Sequence, residues 1–245
     1  MIDEERFRSA RTRVIAEESF SEGIGTLAEK SMHKIIKLYY EPNEEKHEVK
    51  ILGSVADVLN ENGIFEIQTG GVGPLLSKIK KYLREFPVTI VHPIVVNKTL
   101  RWLDKETGEL TEPRKSPGKK TIHSSSFELY KLRGFVGTPG FSVILLMLSC
   151  EEYRRLDGWD STRKKGATKI ESIPVAILDE IVLTRHEDYR IFLPKELPDR
   201  FLAQDFNRAI KSRSRYDYYT LRLLCELGIL KKAGKKGKAI IYARC

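Results

Sequence analysis

A chain of 245 residues with 43 Lys/Arg against 34 Asp/Glu is long enough to bury a sizeable core and too mixed in composition for a disordered or fibrous protein. Three scattered cysteines, Cys150, Cys225 and Cys245, form no zinc or disulfide spacing, and the longest apolar run, Val143 to Leu148, is far too short to span a bilayer; a disulfide scaffold and a membrane-crossing helix are therefore not expected. The charged N-terminus from Asp3 to Arg13 lacks an apolar targeting region, so the expected location is cytoplasmic.

The first convincing element is an amphipathic helix ending near Tyr40, whose apolar stripe runs Ala28, Met32, Ile35, Ile36, Tyr39. Glu29 lies at the edge of that stripe. It also closes a capping box with Thr26, so its carboxylate has two alternative uses, reaching back to the helix start or facing inward. His33, one turn on, is expected at the surface. A strand near His47 to Leu52 follows.

Residues Gly53 to Thr69 read as two short strands joined near Asn62-Gly63. Side chains alternate along a strand, so Glu66 and Gln68 share a face. A two-residue Asn62-Gly63 loop would set Asp57 opposite Gln68, and a four-residue loop from Asn60 to Gly63 would set it opposite Glu66; both put Asp57 on that face. Ala56, Val58, Phe65 and Ile67 form the other, apolar side. Val55, Leu59 and Ile64 accompany the polar residues, which predicts that this face is covered as well. Carboxylates buried in this way need a partner, and a divalent cation is the usual one.

The Gly70-Gly-Val-Gly-Pro74 turn leads into a helix with Leu75, Leu76, Ile79, Tyr82 and Leu83 on one side and Lys78, Lys80, Lys81 and Arg84 largely on the other. Its bare amides suit either a plain tight turn or a phosphate contact. Val88 to Val96 and Phe141 to Leu148 read as buried strands, with a hairpin from Leu100 to Leu110 turning at Glu106-Thr107-Gly108. Two basic loops, Pro113 to Lys120 and Asp157 to Gly166 with Trp159, are either solvated or phosphate-facing. Residues 187 to 198, with two prolines near the end, read as a linker between a domain at 1–186 and another at 199–245. No internal repeats are found.

The charge excess lies at the C-terminal end, where residues 200 to 245 carry twelve Lys/Arg against three Asp/Glu and the rest of the chain is balanced. Such asymmetry predicts a polyanionic partner, DNA being the commonest. Phe201 to Ile210 reads as a short helix, Ser212 to Arg215 as a turn and helix start, Tyr218 to Leu227 as a helix stopped by Gly228, and Ile229 to Tyr242 as two strands around a Gly/Lys-rich tip.

Asp57, Glu66 and Gln68, with the helix, strand, hairpin and helix around them, resemble the Asp...(Asp/Glu)-x-Lys signature of the PD-(D/E)XK, restriction-endonuclease-like, nuclease superfamily across about residues 24 to 97. The resemblance implies an α/β fold with a mixed sheet flanked by helices. It also implies Asp57 and Glu66 as ligands of Mg²⁺ (or Mn²⁺), with Glu29 able to join them. Gln68 stands where the family has lysine, so Lys78 or Lys50 would have to supply that charge. The last 50 or so residues resemble a winged helix-turn-helix domain. That implies groove contacts from Arg213, Arg215, Tyr216 and Tyr219 and wing contacts from Lys235, Lys236 and Lys238. Together they imply a Mg-dependent DNA endonuclease located by its winged helix, with a homodimer as the simple solution for a double-strand cut. The alternative is a non-catalytic DNA-binding protein or regulator with a degenerate nuclease-like core.

Overall fold

Runs of β-branched and aliphatic residues such as Val88-Thr-Ile-Val91 and Val143-Ile-Leu-Leu146 suit strands buried on both faces, and they form the centre of one mixed sheet. The computed structural model describes residues 2–20, 30–104, 109–118, 120–155, 168–211 and 217–245. The sheet comprises β1 (His47–Ile51), β2 (Ser54–Asn60), β3 (Gly63–Ile67), β4 (Val88–Leu103), β5 (Arg114–Lys115), β6 (Phe141–Arg155) and β7 (Thr168–Leu183). Their order is β1-β2-β3-β4-β6-β7, with β5 on β4. The β1–β2, β2–β3 and β6–β7 pairs are antiparallel, whereas β3–β4 and β4–β6 are parallel. The chain is thus α/β with a mixed sheet flanked by helices, as expected.

Helices cover both faces. On one side α2 (Lys30–Tyr40) sets Ile36 and Met32 against Val58, Phe65, Ile67 and Val91, and Tyr40 stacks on Phe65 with ring centroids 5.3 Å apart. Behind it lies α1 (Glu4–Phe20), a helix not anticipated from the sequence, because only Phe7, Ala10 and Val14 form its buried stripe among many charges. On the other side lie α3 (Leu76–Tyr82) and α4 (Ser126–Leu132); the latter is a seven-residue helix too short to show a period of its own.

The C-terminal residues form a second sheet, β8-β10-β9, from β8 (Arg200–Leu202), β9 (Leu230–Lys236) and β10 (Ala239–Arg244), with α5 (Ala203–Ala209) and α6 (Asp217–Glu226). The helix expected over 201 to 210 therefore begins as a strand, whose Phe201 is buried against Tyr242. The expected linker is no open tether. Residues 186–192 form a 3-10 turn, and Tyr189, Phe192, Leu193 and Leu197 are buried in the same core as Ile79, Tyr82, Val143, Phe206 and Leu224. Enough apolar side chains occur in that segment to overrule its prolines.

Elsewhere, β4 and β6 run well past the predicted buried strands. The Leu103–Leu110 bridge fits the predicted hairpin, although residues 105–108 at its tip lie outside the described residues. The loop at 157–166 with Trp159 also lies outside them. Among the described residues, no helix is long and apolar enough to cross a membrane.

Candidate active site

The β2–β3 hairpin takes the register expected for the four-residue loop from Asn60 to Gly63, with the end residues of that loop also paired. Asn60 pairs with Gly63 around Glu61-Asn62, and Val58 pairs with Phe65, a register that one residue further sets Asp57 opposite Glu66. The ladder ends there. Instead of the next backbone bond, Ile67 N–H donates to Asp57 Oδ2 at 2.7 Å, so the two carboxylates lie where the strands part. Ile64 is fully buried on the polar side and Leu59 packs there too, as predicted, but Val55 is exposed.

Each carboxylate has its own environment. Glu66 is 2% exposed. Burial pushes its acid up to about 7, Asp57 adds to the rise, and Lys78 and the Asp57 amide oppose it. Lys78, projecting from α3, brings Nζ within 2.8 Å of both Glu66 oxygens, but only Oε2 receives a well-aligned hydrogen bond. Oε1 is buried without a hydrogen-bond partner among the described residues. Asp57 differs: burial would raise its acid, but the hydrogen bond and charge of His33, the Ile67 amide and Lys78 together hold it below the usual aspartate value. Two adjacent carboxyl groups with acidities driven apart in this way suit unequal chemical roles.

His33 is therefore not a simple surface residue. Its Nε2 lies 3.2 Å from Asp57 Oδ2, and the side chain is half-buried, because α2 crosses the sheet with this turn over the open end of the hairpin. Nothing in the helix periodicity signals that contact. Tyr82 belongs to the apolar stripe of α3. It is indeed fully buried, yet its hydroxyl has no partner among the described residues; burial, then Glu66 and Asp57, raise its acid to about 12. Lys78 lies over the Tyr82 ring, 5.7 Å from its centroid.

Gln68 follows at the end of β3. Its Nε2 donates to the Gly71 carbonyl at 3.0 Å, and its own carbonyl meets His92 Nδ1 at 3.0 Å. The side chain thus braces the following turn. Glu128 of α4 accepts from Val72 N–H at 2.7 Å and pairs with Lys131, which occupies an amide offered as a phosphate contact and makes this a structural turn. Lys50 is exposed on β1. Glu29 lies outside the described residues.

The nucleic-acid contacts expected in the tail divide three ways. Lys235, Lys236 and Lys238 are exposed on the β9–β10 hairpin. Tyr219 is half-buried and packs its ring on Phe127 and Tyr130 of α4, which withdraws it from the open surface. Arg213, Arg215 and Tyr216 lie outside the described residues.

No group of three His, Cys, Asp or Glu side chains arranged to hold a metal occurs among the described residues. The donors at this site are the two hard carboxylates of Asp57 and Glu66, and Glu66 Oε1 has the Lys78 charge near it but no aligned hydrogen bond. That set suits Mg²⁺, which commonly takes one or two carboxylates and keeps water or substrate oxygens for the rest.

A family model described as "Domain of unknown function (DUF8091)" matches residues 30–184. The chain belongs to that family. The DUF8091 match spans α2 through β7 and so contains Asp57, Glu66, Gln68 and Lys78, but stops before the C-terminal sheet. The chain is also similar to an uncharacterized protein of Treponema pallidum (strain Nichols), 26% identical over 228 residues that cover 90% of this chain and 87% of the relative. Coverage that large extends past residue 184, so the likeness includes part of the C-terminal unit. No solved structure matches the chain.

Proposed function

We propose that this protein is a metal-dependent DNA endonuclease, with Asp57 and Glu66 as the metal-holding carboxylates and Lys78 in the role that the PD-(D/E)XK pattern gives to the lysine missing at Gln68. The observation that carries the reading is the buried pairing of Asp57 and Glu66 at the open end of a hairpin with a lysine 2.8 Å away. The order α2-β1-β2-β3-α3-β4, with β4 parallel to β3, supports it. A bound Mg²⁺ or Mn²⁺ would supply a more acidic water and charge neutralisation at phosphorus.

The chain's own residues would do the rest. Asp57 stays ionised and is held in place by the Ile67 amide and His33. Lys78 brings positive charge to the site, where negative charge builds up during phosphodiester hydrolysis. Gln68 cannot take a proton; it fixes the turn beyond the site. The C-terminal unit supports a winged-helix reading by its order β8-α5-α6-β9-β10, and the exposed wing lysines would hold backbone phosphates. The three free cysteines suit a cytoplasmic, reducing setting, and a cut in both strands calls for two copies related by a two-fold axis.

Incubation of supercoiled plasmid with the protein and Mg²⁺ or Mn²⁺, with and without chelator, tests this. Nicking should require the metal and disappear in the Asp57→Ala, Glu66→Ala double variant, while Lys78→Ala should lose on the order of 100- to 1000-fold in rate. Undiminished cleavage by the double variant would overturn the assignment. DNA binding with no cleavage of any form would favour the non-catalytic DNA-binding protein, a reading that the engaged Gln68 side chain and the lack of a third described ligand keep in play.

A further inference from the structure

A basic recess lies on the α2 side of the sheet, past the end of β3. Strands β4, β6 and β7 continue beyond the end of β3, and together with α2 and the turn after β5 they enclose a cleft of about 380 Å³. Lys98, Lys120 and Lys169 line it, with hydroxyls from Thr69, Ser116 and Ser172. Among the described residues its one acidic wall residue is Glu152, which is buried and already neutralised by Lys98 at 2.9 Å and Arg154 at 2.6 Å. Lys120 and Lys169 are exposed and have no carboxylate within ion-pair distance among the described residues. Two uncompensated cations facing one recess favour an anionic ligand.

Two residues of its wall are sequence neighbours of residues in the candidate active site. Thr69 follows Gln68, and Met32, on the α2 wall, precedes His33, which bonds Asp57. Lys120 also lies close enough to His92, whose ring holds the Gln68 carbonyl, to add to the effect of burial in lowering that imidazole. The volume is that of a small-ligand site and has room for a nucleotide-sized segment. Among the described residues the wall offers hydroxyl and ammonium donors and no aromatic ring, which suits a sugar-phosphate chain rather than base recognition.

We propose that this cleft binds the backbone of a single nucleic-acid strand, with Lys120 and Lys169 as its phosphate contacts. The identity of the anion rests on the nuclease reading; the existence of an anion site does not. The cleft lysines are distinct from those of the β9–β10 hairpin, so single-strand and duplex contacts would be separable by mutation.

The test is fluorescence anisotropy of labelled oligothymidylates of increasing length with the full chain, in chelator, over a range of salt. Lys120→Ala/Lys169→Ala should weaken binding roughly 30-fold, two lost charge-assisted contacts at about 1 kcal/mol each, and flatten the log K against log salt slope by about 1.4. Both lysines are exposed, so the fold should persist, and Arg8→Ala/Lys195→Ala removes equal charge from exposed sites elsewhere as a control. Affinity unchanged in the cleft variant, or lowered equally in the control, would overturn the proposal, as would a wild-type protein that binds no single strand. Affinity that does not grow from a mononucleotide to longer strands would mean a free-phosphate site and would overturn the strand assignment. Cleft-dependent binding without any cleavage would retire the nuclease and keep the cleft; cleavage with cleft-independent binding would do the reverse.

Discussion

Glu66 holds its carboxyl in a place where ionisation is unfavourable, 2% exposed and beside Asp57, with Lys78 only partly offsetting the loss of water. Its acid lies near 7 when folded and near the ordinary glutamate value when unfolded, so the folded state binds the extra proton between those limits. Stability from this group is therefore full below about pH 4.5 and falls as pH rises towards 7, by an amount on the order of 3 kcal/mol. Asp57 acts in the opposite sense and in another window, its contribution being lost only in acid, below its ordinary value. We expect metal-free Glu66→Gln to lose less stability than the wild type between pH 5 and pH 8 in denaturant melts. Parallel profiles for the two proteins would show that Glu66 is ionised at no cost. A divalent cation should remove the wild-type decline, because it would take up the charge that burial leaves exposed to a low dielectric.

The hairpin that carries these carboxylates depends on one glycine for a reason that lies outside the turn. Gly63 has φ +106°, and a Cβ there would lie 2.4 Å from the Pro87 carbonyl oxygen, the acceptor of the Ile64 N–H. Only a residue without a side chain lets β3 approach the start of β4 closely enough to make that bond. Gly53, between β1 and β2, also has positive φ but meets nothing within 4 Å. Gly63→Ala should therefore cost about 2–4 kcal/mol in urea unfolding, and Gly53→Ala only about 1–2 kcal/mol, the conformational cost alone. Equal losses at the two positions would mean that the Pro87 contact does not constrain the hairpin.

At the scale of the molecule, the C-terminal unit is built into the main core. Phe192, Phe206, Leu221 and Leu224 share one apolar cluster with Tyr82, Leu129 and Val143, and Ser126 Oγ meets Thr220 Oγ1 in a buried 2.5 Å contact between α4 and α6. Arg222 and Arg133 lie against Tyr130, at 4.6 and 4.2 Å from its ring centre, and close the same seam. A protein joined in this way should unfold in one calorimetric transition rather than two. Leu224→Ala, which opens a cavity in that seam, should lower the whole transition by about 2–5 kcal/mol. A variant that melts the C-terminal residues first and leaves the main sheet intact would show two separable units.

The mixed α/β class was implied by a family resemblance, whereas the amino-acid sequence by itself determined the β2–β3 hairpin with Asp57 and Glu66 on one side, helices α2, α3 and α6, and the basic β9–β10 hairpin. Each of these rests on a local period, a turn residue or a count of charges, which neighbours in sequence are enough to fix. Helices α1 and α4 escaped because a narrow stripe and a seven-residue length leave little periodic signal, and strand β8 because three residues leave none. The tertiary structure alone decided which distant side chains meet: Lys78 on Glu66, His33 on Asp57, Glu128 on the glycine turn, Tyr219 on α4, and the lysines of β4, β7 and the β5 turn around one cleft. Those contacts follow from how helices are laid across a sheet, a property of packing over the whole chain that no window of sequence contains.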